Sequence, residues 1–244
     1  MIELKDLTKH FGPVIAVDHL NLTVRSGEIF GFIGPNGAGK TTTIRMMGGV
    51  LLPTAGTVAI DGIDMAQDPE TAKRKVGFIP DRPFLYEKLT GLEFLRFTAD
   101  LFGVDGKRFR DKSRDVLKLF SLSGRAEELI ESYSQGMKQR LAFAAALLHD
   151  PSVVIVDEPM VGLDPAGIRM LKGLFRGLAR QGATIFLSTH TLAVAEDLCD
   201  CIGIIHRGRC IAVGTMEELK GMTSRSEANL EEVFLKLTDE EALS

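Results

Sequence analysis

Apolar and polar residues alternate near the start of the chain, where Ile2 and Leu4, and then Leu20, Leu22 and Val24, recur at every second position. That period of two predicts strands over 2–7 and 20–25. The pattern changes at 28–33, a short apolar run that leads straight into Gly34 and reads as a buried strand. Further short runs at 57–60, 76–79, 152–157, 183–188, 202–206 and 209–213 predict more strands. Helical patterns separate many of them, which favours a largely parallel sheet with right-handed crossovers.

Between Leu89 and Asp150 the strand signals give way to helix signals. Thr90 and Glu93 make a capping box, and Leu92, Leu95, Ala99 and Phe102 then share one face until Gly103. A second helix is expected over about 107–120. A third follows Ser134, where Met137, Leu141, Ala144, Ala145 and Leu148 form a stripe that ends before Pro151. The expected organisation is one domain over 1–220, with a helical subdomain inserted at about 89–150. A charged tail over 221–244 carries one amphipathic stretch at 230–237.

Composition narrows the class. A chain of 244 residues suits one large domain or a domain with a subdomain. With 25% charged and 45% hydrophobic residues, disordered, collagenous and coiled-coil classes drop out. The 29 Lys and Arg against 33 Asp and Glu give a net charge of −4, so no global positive field attracts nucleic acid and none is expected as a partner. Cys199, Cys201 and Cys210 lack zinc-site spacing and are expected as buried thiols in a reducing compartment. The N-terminal residues show no secretory pattern, and the longest apolar run, 141–148, is far below the ~18 residues that span a bilayer. A cytoplasmic location is expected, with any membrane role exercised through a partner.

Two motifs bring candidate chemistry. Gly34-Pro35-Asn36-Gly37-Ala38-Gly39-Lys40-Thr41, followed by Thr42, matches G-x-x-x-x-G-K-[ST] between a predicted strand and a predicted helix. Such a loop turns successive N–H groups inward toward a di- or triphosphate, and the helix adds its positive end. Lys40 is then expected on the β and γ phosphates and the Thr41 hydroxyl on Mg²⁺. A dinucleotide fingerprint fits poorly, because Lys40-Thr41-Thr42 stands where a third glycine or alanine is needed. The second motif is Val153-Val154-Ile155-Val156 ending in Asp157-Glu158-Pro159, two acids at the carboxyl edge of a buried strand. Asp157 is the expected metal residue and Glu158 the base that polarises the attacking water. His190 closes another strand, where it could contact a phosphate or orient that water, or simply make a local hydrogen bond.

In order along the chain, the loop 34–41, Tyr133-Ser134-Gln135-Gly136-Met137, Asp157-Glu158, Gly162-Leu163-Asp164-Pro165 and His190 resemble the series of the ATP-binding-cassette (ABC) ATPase family. The likeness covers nearly the whole chain. It implies an α/β fold: a P-loop NTPase core with a mainly parallel sheet, an N-terminal antiparallel β subdomain and an inserted α-helical subdomain. It also implies ATP and Mg²⁺, and two such units that sandwich ATP head to tail, so that Ser134 and Gly136 meet the nucleotide of the opposite subunit. Phe11 sits where the family places an aromatic that stacks on adenine, and Asp164 resembles an interface aspartate while also suiting a helix N-cap.

The chain departs from the family pattern in places. Asp81 follows Pro80 where a Gln is usual; the acid can bind magnesium but cannot donate a hydrogen bond. It is carried over as a metal-side and coupling residue. Tyr-Ser-Gln-Gly-Met replaces the commoner Leu-Ser-Gly-Gly-Gln, and with Lys138-Gln139-Arg140 and Asp81 it is similar to ATPase subunits of bacterial drug and antibiotic exporters. The resemblance therefore implies a separate transmembrane permease subunit, with this chain peripheral on the inner face of the membrane, and a second ATPase subunit, identical or not. The alternative is a soluble ATPase of the family acting in DNA repair, translation or cluster assembly, members of which tend to carry a long coiled-coil insertion or two cassettes in one chain.

Overall fold

The computed structural model describes residues 1–161, 163–222 and 230–242, with side chains up to 238. Gly162 and the stretches 223–229 and 243–244 lie outside the described residues. The chain opens with a hairpin, β1 (Ile2–Phe11) and β2 (Val14–Val24), followed by β3 (Ile29–Ile33), α1 (Lys40–Met47), β4 (Ala55–Ile60), β5 (Ile63–Asp64), α2 (Pro69–Arg74) and β6 (Val76–Ile79). Three helices come next, α3 (Gly91–Leu101), α4 (Gly106–Leu119) and α5 (Gln135–Leu147). The remainder alternates, with β7 (Val153–Asp157), α6 (Pro165–Arg180), β8 (Thr184–Thr189), α7 (Leu192–Leu198), β9 (Cys201–His206) and β10 (Arg209–Gly214). Two helices follow, α8 (Met216–Gly221) and α9 (Leu230–Ala242).

Two sheets result. An antiparallel one has the order β2-β1-β4-β5, and a six-stranded one has the order β10-β9-β3-β8-β7-β6, parallel except for the β9–β10 pair. Both hairpin strands run longer than the alternation predicts. The register shifts between Leu4 and Leu7, and Asp6 and His19 take left-handed backbone angles, so a bulge breaks the period of two and pairing resumes beyond it.

The central strands are apolar throughout because both faces are covered. On β7, Val154 and Val156 join the helical side of the core while Val153 and Ile155 face the antiparallel sheet and α1. On β8, Ile185 and Leu187 take the first side and Phe186 the second, stacked on Phe30 at 5.4 Å between ring centres. The helical segment is fastened to the core by a run of rings, Phe120 to Phe143 at 6.0 Å and Phe143 to Phe175 of α6 at 6.1 Å. Its first helix carries the capping box that the sequence predicts: Thr90 Oγ1 accepts from Glu93 N and Glu93 Oε2 accepts from Thr90 N. Leu230 and Val233 of α9 are buried against Ile33, Ala195 and Leu219. The three cysteines are half-buried rather than buried, and none is in a disulfide. Burial raises all three thiols, Cys201 and Cys210 to about 11, so they stay protonated at neutral pH.

Candidate functional site

Residues 34–39 leave β3 at the carboxyl edge of the parallel sheet and enter α1 without a side-chain cap. Gly39 sits at φ +112°, and a Cβ there would strike the Ala16 carbonyl oxygen; one on Gly34 would strike that of Ile205. Only glycine lets the loop lie this close to β2 and β9. The loop curls around its own lysine: Lys40 Nζ donates to the carbonyls of Gly34 at 2.7 Å and Pro35 at 3.1 Å. Burial lowers the Lys40 pKa against the opposing pull of Glu158 and Asp157.

Facing the loop is the end of β7. Asp157 is buried, and its carboxylate accepts from the Ser188 hydroxyl of neighbouring β8. Glu158, the next residue, has φ +51°, an arrangement that costs a non-glycine residue of order 1–3 kcal/mol. Its amide is held by the Ser188 carbonyl at 3.2 Å and the Ser188 hydroxyl at 3.3 Å. The turn aims the carboxylate at His190, whose Nδ1 lies 2.8 Å from Glu158 Oε1. The Glu158 side chain is 15% exposed and that of His190 57%.

A cavity of about 360 Å³ collects these groups, lined by Asn36, Gly37, Gly39, Lys40, Thr41, Thr42, Asp81, Asp157, Glu158 and His190, with Ala16 and Val161 at its edge. Of the remaining loop residues, Gly34 and Pro35 serve the site through the carbonyls on Lys40, and Ala38 is buried behind it. Phe11 is not brought to the cavity. It lies at the hairpin turn, 50% exposed, with the Lys9 ammonium 5.3 Å from its ring centre. Ser134 and Gly136 also stand apart from it. Ser134 caps α5, its hydroxyl accepting from Met137 N at 3.3 Å, and a Cβ on Gly136 would meet nothing within 4 Å. Asp164 caps α6 in the same way, accepting from Gly167 N at 2.8 Å.

Two contributors escaped the sequence. Ser188 ties the two acids together, and Gln139 Nε2 donates to the Pro159 carbonyl at 3.2 Å, joining α5 to the turn after Glu158. Ser188 carries no motif of its own, and Gln139 stands in the Lys138-Gln139-Arg140 run without a role that the sequence alone assigns. Ser188 could have been found only by aligning the ends of two strands that are distant in the chain.

A glycine loop closed around a buried lysine, opening onto a helix and facing two acids at the carboxyl edge of a parallel sheet, defines the P-loop class of nucleotide-binding α/β proteins. A profile described as "ABC transporter" matches residues 17–161, more than half of the chain, and the chain belongs to that family as an ATP-binding cassette. The "Probable multidrug ABC transporter ATP-binding protein YbhF" of Escherichia coli (strain K12) is 38% identical over 97% of this chain, which spans only 41% of that protein's length. The "Bacitracin transport ATP-binding protein BcrA" of Bacillus licheniformis is 42% identical over 90% of this chain and 71% of its own. A solved "Structure of ATP binding subunit of ABC transporter" is 36% identical with a TM-score of 0.93, covering 98% of this chain and 99% of that one. A "Dimeric structure of a post-hydrolysis state of the ATP-binding cassette MJ0796 bound to ADP and Pi" is 28% identical with a TM-score of 0.77, covering 88% and 98%.

Proposed function

We propose that the chain hydrolyses ATP as one of a pair of cassettes and drives export through a separate membrane subunit, at whose inner face it lies. The observation that carries the proposal is the convergence of Lys40, Thr41, Asp157, Glu158 and His190 on one cavity. Residues 1–220 act as the cassette, with the helical insert at about 89–150, and 221–244 as an appended tail.

The roles follow from the chemistry of each group. Amides of residues 36–42 and the Lys40 ammonium bind the phosphates, which compete with the Gly34 and Pro35 carbonyls for that ammonium. Thr41, Asp157 and Asp81 offer a hydroxyl and two carboxylates on the same cavity, a hard-oxygen set that fits Mg²⁺. When bound, Mg²⁺ neutralises charge on the β and γ phosphates. Glu158 takes the proton of the attacking water, and His190, bonded to it at 2.8 Å, fixes the carboxylate and the water.

A Cβ on Gly136 would meet nothing within 4 Å, so the backbone at the start of α5 is open to the close approach of a phosphate held by a second cassette. Phe11, well exposed on the hairpin, offers a ring face to the adenine. The membrane partner is met by an apolar groove of about 390 Å³ between core and helical insert, bounded by Phe78, Pro83, Phe84, Phe94, Phe102 and His149. Transport agrees with the names of those two relatives, YbhF and BcrA, which speak of a multidrug transporter and of bacitracin transport.

The test is steady-state turnover of the full chain and of Glu158→Gln. Turnover should fall at least about a hundredfold while ATP affinity stays within a few-fold, and the parent rate should rise more steeply than linearly with protein concentration. Normal turnover in the variant removes the base. A rate that is absent, or linear down to the lowest protein concentration while the chain sediments as a monomer, removes self-pairing and points to a heteromeric or partner-dependent ATPase.

A further inference from the structure

Residues 81–89 form a short segment that touches three places. Asp81 lines the nucleotide cavity, and Phe84 and Tyr86 carry exposed rings, edge to face at 5.8 Å. The last residues are stitched to the stretch that leads into α5. Ile130 N donates to Leu89 O at 2.9 Å, Glu131 N donates to Glu87 O at 3.1 Å, and two ion pairs cross the same seam, Lys88 with Glu131 and Glu87 with Lys138.

The second ion pair has an unusual setting. Lys138 lies in the first turn of α5, its amide bonded to the Ser134 carbonyl, where the positive end of the helix disfavours a cation. Its side chain is only 21% exposed, and Glu87 is its partner. A lone exposed ion pair contributes little. This one joins the segment that starts at Asp81 to the turn that presents Ser134 and Gly136. It is also one of two pairs and two backbone bonds acting in the same direction.

We propose that the Glu87–Lys138 ion pair is a positioning link that sets the Ser134–Gly136 turn relative to residues 81–86, so that ATP-driven pairing of two copies depends on it. This rests on the two-copy reading above. Neither Glu87 nor Lys138 is among the residues that line the cavity, so a single copy should bind nucleotide without the pair. Each assembled pair contains the link twice by symmetry, which doubles its effect on association.

The experiment uses the full chain carrying Glu158→Gln as parent, with Glu87→Lys, Lys138→Glu and both together. A fluorescent ATP analogue reports affinity, and sedimentation velocity with ATP and Mg²⁺ reports pairing. Each single change should weaken pairing about tenfold with affinity held within about twofold, and the double exchange should recover most of the loss. Single variants that pair like the parent overturn the link. So does a double exchange that pairs as poorly as the singles, since charge complementarity would then not be the cause. A parent that binds the analogue but stays monomeric overturns the two-copy reading itself, an outcome seen in the parent alone and so distinct from failure of the link.

Discussion

Ser188 performs no chemistry, yet its hydroxyl donates to Asp157 while the same residue holds the strained Glu158 amide. Removing that hydroxyl leaves a buried carboxylate oxygen without its donor and loosens the turn that aims the neighbouring acid. Ser188→Ala should lower unfolding stability by about 1–3 kcal/mol in urea titration and reduce turnover with little effect on affinity for nucleotide without Mg²⁺. Unchanged stability and turnover would show that Asp157 is held by its strand alone. At this scale the loop lysine, the two acids and His190 were legible, because each belongs to a short contiguous pattern whose chemistry is local. Ser188 was not, since its role arises only when β7 and β8 align Asp157 with it. Phe11 was singled out by resemblance alone, and the structure leaves it exposed on the hairpin, outside the residues that line the cavity.

His149 closes the helical element against the core. Its ring stacks on Phe102 at 3.8 Å between centres, and Nε2 lies 3.2 Å from the Val76 carbonyl of β6, while Nδ1 is buried without a partner. Burial drives its pKa down to about 4, against the pull of the Val76 carbonyl and Asp150, with Arg108 adding to the fall. The folded value lies below the unfolded 6.5, so the unfolded chain binds the extra proton between them. The stability is therefore complete above about pH 6.5 and lost as pH falls toward 4, by on the order of 3 kcal/mol. Ion-paired Asp150 also weakens on acidification, so the comparison is with His149→Gln, which cannot titrate. Its urea midpoint should decline less between pH 7 and pH 4.5 than that of the parent; parallel declines would remove His149 as the cause. The core strands were the most legible elements, because β3, β6, β7, β8, β9 and β10 are short apolar runs whose bounds lie within a residue of the predicted ones, whereas α2, α7 and α8 carried no stripe that the sequence reading placed. The hairpin strands were legible only in part, since the bulge at Asp6 and His19 interrupts the alternation.

Over the whole molecule, the surface proposed for the membrane partner carries exposed aromatic rings. Phe84 is 82% exposed, with Tyr86 and Phe97 beside it and their rings 5.3 Å apart, next to the groove between core and helical insert. Exposed clusters of this kind mark interaction surfaces. Phe84→Ser should leave turnover of the isolated chain within about twofold and reduce recovery of membrane protein in affinity purification at least about tenfold. Equal recovery would move the docking surface elsewhere. The parallel sheet was legible as a class, but its strand order was not, because order is a long-range choice that no local pattern encodes.

That order has a consequence for synthesis. The phosphate loop is attached to β3, whose two neighbours are β8 and β9, encoded some hundred and fifty residues later. The Ile205 carbonyl that fits against Gly34 comes from the same late stretch. A nascent chain thus exposes its phosphate-loop sequence long before it can seat it, since residues 184–206 must first leave the ribosome. Up to that point the apolar β3 has neither flanking strand, and the growing polypeptide depends on chaperones or on speed to keep it from neighbouring chains.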